Sequence, residues 1–305
     1  MAKQNNTIET KTNTETTMNL PQNKATHNNM EIIDKALKRA IGGGVSGATA
    51  MAVQVSSLMW IRTTMNYQYR YGTSMIDSMK TLYGQGGIPR FYRGLGFALF
   101  QGPLSRFGDT AANAGVIAYL DSYDTTKNLP IAAKTGVASI SAGLFRIFLM
   151  PIDTCKTIMQ VEGKSGLSVL KTKVVKSGPS SLYHGALGSA TATMAGHYPW
   201  FVTYNLTSEH LPGKDSEGLQ KLIRNASCGL SSSIISDLVS NSFRVLKTYR
   251  QTSLESISYT NAAKNIIQSD GISGIFLRGL KTRIVANGIN GMMFAVVWKY
   301  MQEQF

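Results

Sequence analysis

Residues 151–160 read "PIDTCKTIMQ" and close the apolar run 142–150, "AGLFRIFLM". A proline removes a backbone donor and kinks or ends a helix. Here an acid, Asp153, follows two residues later and a base, Lys156, three beyond that. An apolar segment that ends in a helix breaker and two opposite charges at fixed spacing must give those charges partners, because an unpaired charge at lipid depth is costly. The base recurs along the chain. Arg62-Thr63, Lys156-Thr157 and Lys247-Thr248 each open a segment that closes on Tyr92-Arg93-Gly94, Tyr183-His184-Gly185 or Leu277-Arg278-Gly279. The bases are 94 and 91 residues apart and the glycines 91 and 94, so the chain is a threefold repeat.

Each copy holds a long apolar segment, a basic connection with a short helical pattern, the glycine turn and a second apolar segment. Spans are predicted at 33–63, 95–120, 131–160, 186–208, 219–250 and 281–303, each long enough for the roughly 20 residues a bilayer needs. The connections 62–94, 156–185 and 247–279 carry 14 bases against 4 acids, while the loops 121–134 and 207–224 each balance to zero. That alternation is what the positive-inside rule expects, and a merely solvated basic face would not show it. The repeats run 31–121, 122–212 and 213–305, after an arm, 1–30, whose Asn- and Thr-rich composition is too polar to fold alone. The arm lacks arginine and makes a poor cleavable presequence.

Composition agrees with helices packed in lipid. Of 305 residues, 16% are charged, below the roughly 25% of soluble domains. Mean hydropathy is only −0.06, so the spans must be amphipathic, with polar faces turned to a cavity or to one another. The net charge of +14 suits nucleic acid, an anionic membrane face or a cavity for anions. Nucleic acid is excluded as a partner because the aromatics do not interleave with the basic clusters. Cys155 and Cys228 offer neither a disulfide framework nor metal-ligand spacing. Gly42 to Gly47, "GGGVSG", fits a dinucleotide-binding pattern, yet it follows a charged helical stretch rather than a buried strand. Gly43 and Gly47 read better as a close helix–helix contact in lipid. With no nucleophile elbow, phosphate loop or metal pair, the chain reads as no enzyme and needs no cofactor beyond a structural lipid.

On these motifs the chain resembles the mitochondrial carrier family over residues 33–303. The family's repeats carry an odd helix ending in Pro-x-Asp/Glu-x-x-Lys/Arg, a matrix helix, an aromatic-Lys/Arg-Gly turn and an even helix, and "PIDTCKTIMQ" matches the first element. The resemblance implies an all-α fold of six transmembrane helices in three pseudosymmetric repeats with short matrix helices, multi-pass in the mitochondrial inner membrane, both termini in the intermembrane space. It implies a matrix gate in which each repeat's acid pairs with the next repeat's base. Here Arg62, Lys156 and Lys247 persist, and Asn66, Gln160 and Gln251 match the family's bracing position. The acids become Met59 and Arg244 in repeats one and three, and the prolines Ser57 and Ser242. Only Asp153 with Lys247 keeps the pairing, and Arg244 is expected against Arg62. The opposite gate reads Ala114, Asn205 and Lys299, then Ile117, Ser208 and Gln302, with no ion pair; the substrate level reads Gln101, Ala192 and Ala286.

Arg106 and His197 each lie twelve residues after a turn glycine, with Asp109 one turn from Arg106. Gln101, Arg106, Asp109 and His197 are candidate solute ligands, the alternative being an Arg106 pair with Asp109 and a hydrogen-bonded histidine. Arg146 and Asp237, mid-span, face the cavity or a protein partner. By the same resemblance, Arg93, Gly94, Gly185, Arg278 and Gly279 are candidates to bind cardiolipin, most weakly at the second turn, where His184 replaces the usual base. Broken gates imply an accessory or structural subunit of a larger inner-membrane complex with impaired transport. The alternative is an active carrier exchanging a small anion by alternating access.

Overall fold

The computed structural model describes residues 34, 38, 52–213 and 217–304, with the side chains at 131, 132, 291 and 294–304 outside the description. The polar arm, the Gly43 and Gly47 contact and the side chains of Lys299 and Gln302 therefore lie outside the described residues. The helices are α1, over 52–71, α2 (Met75–Gly84), α3 (Gly87–Phe91), α4 (Leu95–Asp121), α5 (Ile131–Phe148), α6 (Met150–Glu162), α7 (Gly166–Ser177), α8 (Ala186–His210), α9 (Gly218–Thr252), α10 (Tyr259–Leu277) and α11 (Leu280–Gln304). Six long segments stand in a ring. Helix α1 packs Val55 and Met59 on Ala98 of α4, α4 lies on α5, α5 on α8, α8 on α9 and α9 on α11. Thr282 of α11 donates to Gln68 of α1 at 2.5 Å and closes the circle.

The proline acts where it is present. The chain bends by 67° between Ala133–Phe148 and Met150–Ser177, with Pro151 in the first turn of α6. Where serine replaces it, α1 and the 35-residue α9 run through unbroken. Helix α1 also continues to residue 71, past the predicted end at 63. No single helix among the described residues is long and apolar enough to cross a membrane, and only the bent pair, taken together, has the length and composition of a span. Length is not what falls short: α4, α8, α9 and α11 hold 25 to 35 residues, about 37 to 52 Å at 1.5 Å per residue. Their apolarity is diluted by inward polar faces, as the near-neutral hydropathy requires.

Each repeat is fastened to the next by the same two devices. Gly94, Gly185 and Gly279 adopt φ of +84°, +102° and +66° immediately before α4, α8 and α11. A Cβ there would meet, respectively, the Lys156 carbonyl at 3.1 Å, Lys247 at 3.1 Å and the Tyr69 ring at 2.6 Å. Only glycine fits both the left-handed turn and the close approach. The second device is a cation that caps the end of the next repeat's odd helix. Arg90 donates to the carbonyls of Gln160 (2.8 Å) and Val161 (2.6 Å). Lys173 donates to those of Arg250 (3.2 Å) and Gln251 (2.9 Å). Arg278 reaches the carbonyls of Tyr69 and Arg70. These carbonyls have no intrahelical partner and carry the negative end of the helix dipole. The three caps lie at different distances from their turn glycines, so register does not reveal them.

Arg90→Ala should lower stability by about 2–4 kcal/mol, the cost of orphaning two buried carbonyls and a packed guanidinium stem. Thermal unfolding in mild detergent measures it. Arg90→Lys should recover part of the loss, because a single ammonium can still donate to one carbonyl.

Candidate matrix gate and solute cavity

The ends of α1, α6 and α9 meet on the side of the basic connections. Asp153, 8% exposed, accepts from Lys247 at 2.5 Å across the α6 to α9 contact and from Lys156, on its own helix, at 2.7 Å. Gln251 braces the pair from below, donating to Thr154 at 2.8 Å and to Asp153 at 3.3 Å. With no acid at Met59, Lys156 turns back to Asp153 and to Gln101 of α4 at 2.8 Å. One carboxylate thus serves two lysines.

The other two contacts close without ions. Between α1 and α6, Asn66 donates to Gln160 at 2.6 Å, and the Gln160 amide lies 3.3 Å from the Met59 sulfur. Between α9 and α1, the Tyr69 hydroxyl donates to Asn241 at 3.1 Å, and Asn241 donates to the Phe276 and Arg278 carbonyls. Although two of the three expected ion pairs are missing, this face is shut by one shared carboxylate and two neutral bonds.

The Arg244 contact with Arg62 is also corrected. Arg244 donates to Ser240 at 3.3 Å and lies in the field of Arg283 and Asp237. Arg283 of α11 pairs with Asp237 of α9 at 2.5 Å, and Asn287 donates to the other oxygen of Asp237 at 2.5 Å. Arg62 lies near Arg283 and forms no hydrogen bond or ion pair among the described residues. Sequence reading missed Arg283, Asn287, Tyr69 and Asn241. A signal existed for Arg283: its counterparts four residues after the other turn glycines are Ala98 and Ser189, so an arginine there breaks the threefold pattern.

Higher in the ring, Asp109 pairs with Arg146 of α5 at 2.5 Å rather than with Arg106. Arg146 and Asp237 are thus held inside the bundle, not presented to a partner. His197 shares a 2.9 Å hydrogen bond with Ser139 and sits in the field of Asp109, Arg146, Arg244 and Arg106. Arg106 is exposed and unpaired among the described residues. Among the described residues one electrostatic cluster therefore joins seven bases (Arg62, Arg106, Arg146, Lys156, Arg244, Lys247 and Arg283) to three acids (Asp109, Asp153 and Asp237). Ala192 is buried and carries no polar group to a solute. At the opposite gate Asn205 offers only its carbonyl, to Ser208.

The turns differ from one another. Arg93 is half-buried and unpaired among the described residues. Arg278 is committed inward, to Asp270 at 2.7 Å and to the α1 carbonyls. Beside it a cavity of about 430 Å³ is lined by Gly72, Thr73, Leu277, Gly279 and Lys281 among others. The His184 pKa is pushed down to about 4, first by burial and then by Lys173 and Arg250, so the second turn carries no charge near neutral pH.

The three-repeat ring fits what the chain matches. The family described as mitochondrial carrier protein matches residues 34–122, 127–215 and 219–305. The chain belongs to the mitochondrial carrier family. It is an all-α, multi-pass protein of the mitochondrial inner membrane. It is 24% identical over 177 residues to the mitochondrial thiamine pyrophosphate carrier 1 of Lodderomyces elongisporus, covering 53% of this chain and 56% of that protein. It is 27% identical over 165 residues to the mitochondrial glycine transporter of Xenopus tropicalis, covering 52% and 53%. It is 25% identical over 274 residues to the mitochondrial ornithine transporter 1 of Saccharomyces cerevisiae, covering 82% and 89%. In the first two, the match spans about half the relative's length.

Asp153→Asn should remove the counter-charge of two lysines at once and destabilise this state by about 3–5 kcal/mol, as loss of one member of a buried ionic group does. Gln251→Leu should cost about 1–2 kcal/mol. Thermal unfolding of the detergent-purified variants gives both values, and the order should be Asp153→Asn well below Gln251→Leu.

Proposed function

We propose that the chain is an active carrier that exchanges a small anionic solute across the inner membrane by alternating access. The observation that carries this reading is the surplus of four bases in the cavity, with Arg62 and Arg106 unpaired among the described residues. Like charges held in a low-dielectric site are destabilising unless a counter-charge joins them, and a bound anion supplies it. Closure of the matrix side by weak, separable contacts suits a cycle in which the closed and open states must nearly match in energy. The relatives above are named for three chemically different solutes, so the charge of the solute is taken from this cavity and not from them. The accessory-subunit reading rested on two broken gates, and at one of them the neutral bonds supply a closure without ions.

Cardiolipin belongs to the same reading as a structural lipid. Backbone amides at the starts of α4, α8 and α11 favour phosphate, Arg93 is free to add charge at the first turn, and the cavity beside Gly279 with Lys281 offers a seat at the third. The neutral His184 makes the second seat the weakest.

In proteoliposomes, uptake of radiolabelled phosphate, dicarboxylates or phosphate esters should saturate and rise with the same anion inside, while lysine uptake stays at background. Arg106→Gln and Arg62→Gln should each reduce anion uptake about ten-fold or more. Absence of any exchange by folded protein, together with co-migration in a large complex on native gels, would favour the accessory role instead.

A further inference from the structure

Helix α8 has four faces, and three are accounted for. Gly188 and Gly196 pack on α9, where a Cβ would meet Lys247 at 3.0 Å and Ser236 at 2.9 Å. Ala190 and Met194 meet Gly143 of α5, and His197 bonds Ser139 of that helix. Leu187, Tyr198, Val202 and Leu206 are exposed large apolar side chains on the outside, where lipid lies. At 100° per residue the remaining face, between those turned to α5 and α9, carries Ser189, Thr193, Trp200 and Tyr204. In a six-helix ring that face looks into the cavity.

Trp200 and Tyr204 are half-buried there and stack on one another, their ring centroids 5.1 Å apart and their planes 10° apart. Tyr204 lies one turn farther from the matrix, so it covers the upper face of the indole. Phe201 meets the indole edge-on, its ring centroid 5.1 Å away and its plane at 80°, and His197 lies about 4.5 Å down the helix axis from Trp200 at 1.5 Å per residue. Arg106 occupies the same twelfth position after its turn glycine as His197 does and lies in its field, with Arg244 deeper. The packing of Gly188 and Gly196 on α9 puts Arg244 near the level of residue 190, roughly 15 Å below Trp200 at that same rise. The stacked pair thus lies above the levels of Arg106 and Arg244, neither of which forms an ion pair among the described residues, so a ring-bearing anion could span from the stack to the cations.

We propose that the cavity selects anions that carry a planar heteroaromatic ring, with Trp200, backed by Tyr204, as the stacking platform and Arg106 and Arg244 as the anion end. This rests on the anion-carrier reading and narrows it. Stacking on an aromatic side chain tolerates many rings, since every base has a π face, so the platform sets the class of solute and the cations set its charge.

The test uses the full chain purified in mild detergent, with thermal shift and tryptophan fluorescence as readouts. The probes are adenosine 5′-monophosphate and thiamine diphosphate as ring-bearing anions, pyrophosphate and citrate as ring-free anions, and adenosine as an uncharged ring. Ring-bearing anions should bind about ten-fold or more tightly than ring-free ones and quench fluorescence. Trp200→Leu should remove that advantage while leaving pyrophosphate affinity unchanged, Trp200→Phe should retain part of it, and Arg106→Gln should weaken every anion alike. Equal binding of ring-bearing and ring-free anions, insensitive to Trp200→Leu, would overturn the platform and leave the anion carrier standing. Binding of no anion by the folded protein would overturn both.

Discussion

The closed state depends on one carboxylate. Asp153 is the sole acid among the three matrix-side positions that the repeats align, and it holds Lys247 of the next repeat and Lys156 of its own within 2.7 Å. Its helix is also the one that begins at the proline bend. A carboxylate has lone pairs enough for two ammonium groups and a bracing amide, and Asp153 uses them on Lys156, Lys247 and Gln251. The remaining two seams are made by Asn66 with Gln160 and by Tyr69 with Asn241. Neutral bonds of this kind contribute roughly 1 kcal/mol each, less than a well-placed buried pair costs to break. A gate so built is held by weak, separable contacts around one ionic group.

The same economy of acids shapes the cavity. Among the described residues three carboxylates serve seven bases, and beside the Asp153 group the pairs Arg146 with Asp109 and Arg283 with Asp237 tie neighbouring helices together. What remains among the described residues is a surplus of positive charge inside the ring. The glycine turns and helix-end caps hold the six long helices in register around that charge.

Much of this was legible in the sequence, for physical reasons. Repeated glycine turns at 91 and 94 residues reveal the threefold ring because each demands a left-handed backbone and a close neighbour. Asp153 with Lys247 was legible because an acid and a base at lipid depth must find one another. The neutral seams were not. Asn241 and Tyr69 are ordinary residue types whose meaning lies in a contact 172 residues apart in the chain, and a hydrogen bond leaves no charge pattern to follow. The pairing of Asp109 with Arg146 rather than Arg106 was hidden for a related reason: sequence spacing gives neighbours on one helix, and here the partner came from the next. Arg90 and Lys173 cap helices from positions that the repeat does not align, so symmetry could not point to them.

The central claim is that the matrix face closes at α1 to α6 without an ion pair, and cysteine cross-linking in intact membranes tests it most directly. In a background with Cys155 and Cys228 replaced by alanine, Asn66→Cys with Gln160→Cys should be joined efficiently by a short thiol-reactive linker. The yield should fall when Asp153→Asn loosens the neighbouring seam. Negligible cross-linking of that pair in folded, membrane-embedded protein would contradict the closed gate described above.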